Sequence, residues 1–156
     1  MIHLKSMTDD EFSRYLKDAI PSYDAGKVQS EGLSDSDALA LAQRTFQELL
    51  PKGIHSPDHF LFSVFDDDSA VPCGTLWLAC RREGSKHYAY IYDIILNPAH
   101  RGKGLGRQLM RLMEEEVRRQ CLQSVVLHVF EHNTLAIHLY ESMGFHTTNR
   151  IMSKKL

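Results

Sequence analysis

The run HYAYIYDIILNPAHRGKGLGRQLM, residues 87–110, joins a strand to a helix through a glycine-rich loop. Few folds accept that order. The first half of HYAYIYDIIL alternates, with Tyr88, Tyr90 and Tyr92 on one face and Ala89, Ile91 and Asp93 on the other. The second half, IIL, is apolar on both faces, as expected for a strand entering the buried centre of a sheet. Asn97-Pro98 ends it. From Leu105 the apolar residues fall at 105, 109, 112, 113 and 117, one face of a helix. Glu114–Arg118 and Glu115–Arg119 stand as i,i+4 pairs on its outer side. SVVLHVF (124–130) is a β-branched strand. A strand–loop–helix–strand crossover therefore lies in the middle of a mixed sheet.

The flanking segments extend that sheet. IHLKSM reads as a short first strand. Thr8 with Glu11 forms a capping-box signature, and a helix continues from it to Pro21. Gly26 and Gly32 mark a loose connection to a second helix, which starts near Ser34 with Asp37 three residues on and ends at Pro51 and Gly53. FLFSVF (60–65) and GTLWLACR (74–81), joined by an acidic turn, read as a hairpin. NTLAIHLYESMGF is a short helix stopped by Gly144, and FHTTNRIMSKKL reads as a last extended strand. The order is β-α-α-β-β-β-α-β-α-β. With 156 residues and no linker or repeat, residues 1–156 read as one domain.

Composition narrows the partners. The net charge of −2 gives no overall basic excess for nucleic acid or a membrane surface. The 43% hydrophobic content comes without any apolar stretch of spanning length. Cys73, Cys80 and Cys121 form no CxxC pair and read as reduced, buried thiols of a cytoplasmic protein. His55/His59 and His128/His132 stand four apart, but one pair flanks a Ser-Pro break and the other leaves a strand. No metal is expected.

The glycine loop sits where a helix begins, so its first N–H groups have no helical acceptor and the dipole favours an anion. Glycines let the main chain approach a ligand and turn several amides toward it. Arg101, Lys103 and Arg107 add charge, and residues 100–123 carry six Lys/Arg against three Glu. A pyrophosphate is the natural guest. Neither GxxxxGK[ST] nor GxGxxG occurs: the glycines are Gly102, Gly104 and Gly106.

Arg101-x-x-Gly104-x-Gly106 after a strand resembles the acetyl-CoA motif, R/Q-x-x-G-x-G/A, of the Gcn5-related N-acetyltransferases (GNAT). LHVFEHNTLAIHLYESMGF resembles the same family's later block, with Asn133, Tyr140 seven residues on, and a Gly144-Phe145 end. The resemblance covers residues 60–156 well and 1–59 only as the two-helix segment usual there. It implies an α/β (α+β) acyl-CoA N-acyltransferase fold, with helices on both faces of a mixed sheet splayed at the pair 87–96/124–130. Residues 8–59 would form the acceptor side and 87–145 the acetyl-CoA core. By the same resemblance the backbone of Ile94, Ile95 and Leu96 would pair with the pantetheine arm. The amides of Arg101, Gly102, Lys103, Gly104, Leu105, Gly106 and Arg107 would hold the pyrophosphate, and Asn133 and Tyr140 would also contact the coenzyme.

The implied reaction is direct acetyl transfer from acetyl-CoA to a primary amine, on a small molecule, a protein N-terminus or a lysine, with a homodimer left open. Tyr140, a phenol with an ordinary pKa of about 10, would protonate the leaving thiolate. For the base, two groups stand open: His128, aligned with a glutamate of some protein-acetylating members, and Asp93, an acid on a strand that is costly unless paired or used. A non-catalytic acyl-CoA sensor of the same fold is the alternative, and a nucleotide-binding switch a third.

Overall fold

The computed structural model describes residues 1–23 and 32–156. Gly26 lies outside the described residues. Strand β1 (Ile2–Ser6) leads into helix α1 (Asp9–Ala19), whose capping box is complete: Glu11 N donates to Thr8 Oγ1 at 3.3 Å, and Thr8 N to Glu11 Oε2 at 2.9 Å. Helix α2 (Asp35–Leu49) is capped by Ser34, which accepts from Asp37 N at 3.2 Å. Then come β2 (His59–Asp66), β3 (Pro72–Glu83) and β4 (Lys86–Leu96). After these follow α3 (Leu105–Arg119), β5 (Val125–Leu127) and α4 (Thr134–Ser142). Among the described residues no helix is long and apolar enough to cross a membrane.

The five strands lie in the order β1-β2-β3-β4-β5. The first four pair antiparallel through tight connections or helices, and β4 pairs parallel with β5, which demands the crossover that α3 supplies. The α/β fold expected from the sequence is the fold observed. On one face, Leu76, Leu78, Ala89 and Ile91 pack with Met110, Met113 and Val117 of α3 and, at the edge, Leu139 and Tyr140 of α4. On the other, Leu61 and Trp77 pack with Phe46 of α2, with Phe12, Tyr15 and Leu16 of α1 against them. Helices therefore cover both faces.

Several expectations change. The strand read at 124–130 is hydrogen-bonded only over Val125–Leu127, because its pairing with β4 stops at Ile91↔Leu127. Residues 145–156 form no strand, and 146–156 are exposed throughout. With polar residues at 146–150 and lysines near the end, this segment has little apolar surface to bury. Arg118 pairs with Glu114 at 3.2 Å as expected, but Arg119 turns to Glu116 at 3.1 Å rather than Glu115. Glu116 is 8% exposed and also takes Gln120 Nε2 at 3.0 Å, so the buried carboxylate recruits the cation. Cys121, expected buried, is exposed.

Candidate active site

The site begins with a slip in register. Opposite β3, Leu76↔Ile94 and Trp77↔Asp93 pair in one register and Leu78↔Ile91 in another, so β4 carries one extra residue at Tyr92. Such a bulge bends its strand and shifts the side-chain alternation. Ala89 and Ile91 pack toward α3 before it, Ile94 and Leu96 after it. Tyr92 and Asp93 consequently both point to the α1–α2 face. The uninterrupted alternation read from the sequence, which set Asp93 beside Ile91, is corrected by this insertion.

Beyond Ile91 the two parallel strands part. The cleft between them, about 130 Å³, is walled by Ile91, Tyr92, Asp93 and Ile94 of β4, by Leu127 and His128 at the end of β5, and by Tyr140 of α4. Three groups singled out in the sequence, Asp93, His128 and Tyr140, thus meet in one place.

The edge of β4 toward the opening is defined by alternation. Asn97 N donates to Cys73 O at 2.8 Å, turning toward β3; Ile95, two residues back, faces the same way, and the peptide groups of Ile94 and Leu96 face the cleft. Of the expected trio, Ile95 therefore offers its backbone to β3 instead. The Leu96 carbonyl already accepts from Arg101 Nε at 2.8 Å.

That contact begins the glycine loop. Pro98–His100 form a single 3₁₀ turn, and Gly102 (φ 72°) and Gly104 (φ 76°) then adopt the left-handed conformation that glycine takes at little cost. Gly104 is the N-cap of α3 and carries no side-chain cap. Among the described residues, the amides of residues 102–107 find no acceptor in the protein. Six donors in a row at a helix start suit an anion such as a diphosphate. Two of the cations expected to reinforce them are engaged elsewhere: Arg101 braces β4, and Arg107 Nη2 donates to Ser142 Oγ at 2.9 Å. Gly106 has another reason to lack a side chain, since a Cβ there would stand 3.2 Å from Leu139 Cδ2. It lets α4 lie close to α3 and brings Tyr140 to the cleft.

Asn133 caps α4, its Oδ1 accepting from Ala136 N at 3.4 Å. From the last turn of that helix, Tyr140 packs against the Phe145 ring at 5.8 Å. Burial, with the Asp93 charge adding to it, pushes the Tyr140 phenol above its ordinary pKa. His128 is exposed, with Phe130 edge-on at 4.8 Å. Asp93 is held differently. Burial raises its pKa, against the pull of a hydrogen bond from Tyr15 Oη (2.9 Å) and of the Ile94 amide.

Sequence reading did not single out Tyr15. Its signal was its place, with Phe12, Leu16 and Ala19, on the apolar stripe of α1. Tyr92 stacks on Trp77 at 4.5 Å and accepts from Arg81, whose guanidinium lies 4.5 Å from the Tyr90 ring. Trp77 Nε1 donates to His59 Nδ1 at 3.0 Å, and burial lowers the His59 pKa. The tyrosine ladder is thus a braced wall beside the cleft. Among the described residues no group of three or more His, Cys, Asp or Glu is placed to hold a metal.

The chain matches the family model of the acetyltransferase (GNAT) family over residues 27–145. It is 36% identical over 155 residues to the uncharacterized N-acetyltransferase YycN of Bacillus subtilis (strain 168), covering 99% of each chain. To YdgE of the same organism, likewise an uncharacterized N-acetyltransferase, it is 29% identical over 98% of this chain and 97% of that one. The YycN crystal structure superposes with a TM-score of 0.87 at 35% identity, covering 100% of this chain and 99% of that one. AAC(6')-Iy, solved with a coenzyme A bisubstrate analogue, shares the fold at a TM-score of 0.65 and 15% identity, over 100% of this chain and 98% of its own.

Proposed function

The chain belongs to the GNAT acetyltransferase family, and from that premise we propose that it moves an acetyl group from acetyl-CoA directly to a primary amine. The observation that carries this reading is the row of amides at 102–107 that find no acceptor among the described residues, at the start of a helix that Gly106 lets pack against α4, the helix whose Tyr140 walls the cleft. Those amides would hold the diphosphate. The cleft-facing peptide groups of Ile94 and Leu96 would align the pantetheine arm as an added strand. Asn133, with its oxygen committed to the cap, would offer only its amide N–H₂ to the coenzyme. The coenzyme supplies an activated acetyl thioester, and the protein supplies position and protons.

An ammonium acceptor must lose a proton before its nitrogen can attack. Asp93 or His128 would take it, both lying on the cleft. As the C–N bond forms and the C–S bond breaks, Tyr140 would give its phenolic proton to the departing sulfur. The second nitrogen proton restores Tyr140, and the base returns its own to solvent, so one proton is released per turnover. Burial that keeps Tyr140 protonated above neutral pH supports its role as the acid.

Thiol release from acetyl-CoA, measured against polyamines, aminoglycoside-like amines and N-terminal peptides, tests the reading. Turnover with at least one amine supports it. Coenzyme A binding without acetylation of any of them would favour the acyl-CoA sensor instead.

A further inference from the structure

Asp93 has an unusual setting for a carboxylate. It sits within the sheet on the face covered by α1, with Trp77 as its cross-strand neighbour and no cation paired to it among the described residues. Among the described residues its one side-chain hydrogen bond comes from Tyr15, 78 residues away, at 2.9 Å to Oδ2; the Ile94 amide is its backbone partner, and no side chain donates to Oδ1. The Tyr15 ring is itself locked, 6.5 Å from both Phe12 and Phe46. Burial of the phenol and the adjoining carboxylate keep the Tyr15 hydroxyl protonated far beyond neutral pH, so toward Asp93 it acts as the donor.

We propose that Tyr15 is the positioning residue for the base of the reaction: its hydroxyl pins one oxygen of Asp93 and leaves the other to accept the proton of the acceptor amine. This rests on the acetyl-transfer reading above, and it assigns the base to Asp93 rather than to His128. Two features support the choice. The bulge places Asp93 on the α1–α2 face, from which residues 8–59 would shape the acceptor pocket, and Asp93 shares the cleft with Tyr140. Burial also makes its carboxylate a stronger base than a solvated one, while the Tyr15 bond keeps the charged form accessible. The titratable groups facing Asp93 are Tyr15 from α1, Tyr140 from α4, His128 beyond β5 and Tyr92 beside it on β4.

The test is a titration of the Asp93 carboxyl by carbon NMR in protein labelled at aspartate, its signal assigned by loss in Asp93→Asn. Tyr15→Phe keeps the packed ring and removes only the donor, so the Asp93 midpoint should rise by about one pH unit. An unmoved midpoint overturns the proposal, and because this readout needs no turnover, it stands apart from failure of the acetyl-transfer reading. With an acceptor from the amine screen, the acid limb of kcat should move upward with the midpoint, while KM for acetyl-CoA stays put. In an Asp93→Asn background, Tyr15→Phe should change nothing further. Should Tyr15→Phe not fold, Asp93→Asn alone decides: an acid limb retained in that variant refutes the assignment.

Discussion

At the scale of single residues, the proposed reaction would depend on two acids kept in opposite states. Tyr140 would hold its proton and Asp93 would lose and regain one; burial raises the pKa of both. Tyr140→Phe should lower kcat by about a hundredfold with coenzyme affinity unchanged, as expected for loss of a general acid. Equal rates for the two proteins across pH 7 to 9 would remove Tyr140 from the chemistry. Asp93 also bears on stability. Because its folded pKa is raised, the folded state binds the extra proton between the unfolded and the raised midpoint, and stability falls as pH climbs through that window. Asp93→Asn is therefore expected to raise Tm at pH 8 and to change it little at about pH 2.5, below the ordinary aspartate pKa of about 3.9, where the carboxyl is protonated in both states; thermal scans at the two pH values measure this. Of these residues, Tyr140 was visible through the family resemblance of the block that holds it, and Asp93 by an acid's oddness on a strand. Tyr15 was not, because an aromatic on the apolar stripe of a helix looks like packing until its hydroxyl is seen to reach a carboxylate.

Elements explain what the periodicity of the sequence missed. Alternation along β4 predicts sides correctly up to Tyr92 and fails from Asp93 onward, since one extra residue opposite β3 shifts every later side chain. No local signal marks that bulge; it is set by pairing with a strand ten or more residues away. The glycine loop was legible because an uncapped helix start after a strand has one common use. The reasons for its three glycines still differ: conformation at Gly102 and Gly104, close helix packing at Gly106. Gly106→Val should thus cost about 1–3 kcal/mol by overpacking against Leu139, read by denaturant unfolding. Gly104→Asp adds left-handed strain and a charge where the diphosphate would lie, and should abolish acetyl-CoA binding in calorimetry. Gly74 was read only as the first residue of a strand, yet a Cβ there would meet the Ile95 carbonyl oxygen at 2.3 Å. That glycine lets β3 approach β4 at the end of the strand, beside Leu96.

At the scale of the whole molecule, charge and topology divide the labour. Residues 1–50 carry nine Asp/Glu against five Lys/Arg, while the cations gather around the loop and α3. A ligand gripped only by the folded loop should stabilise the entire sheet. At a hundred times its Kd, coenzyme A would add about 2.7 kcal/mol, a Tm rise on the order of 5–10 °C for a chain of this size. Differential scanning fluorimetry should show that rise for the wild type and none for Gly104→Asp. The mixed sheet and its helices were readable because each element carried its own periodicity and caps. The final segment misled because strand-like residues need a partner edge, and a three-residue β5 gives them little.

The hydrogen bond from α1 to β4 spans 78 positions of chain and ties the half that would choose the amine to the half that would activate it. Anyone grafting residues 1–57 of another member onto this scaffold to exchange acceptors would therefore be moving part of the reaction apparatus along with the specificity. A transplant lacking a hydroxyl at position 15 should bind its new amine and acetylate it sluggishly, and restoring that single tyrosine should be the first repair.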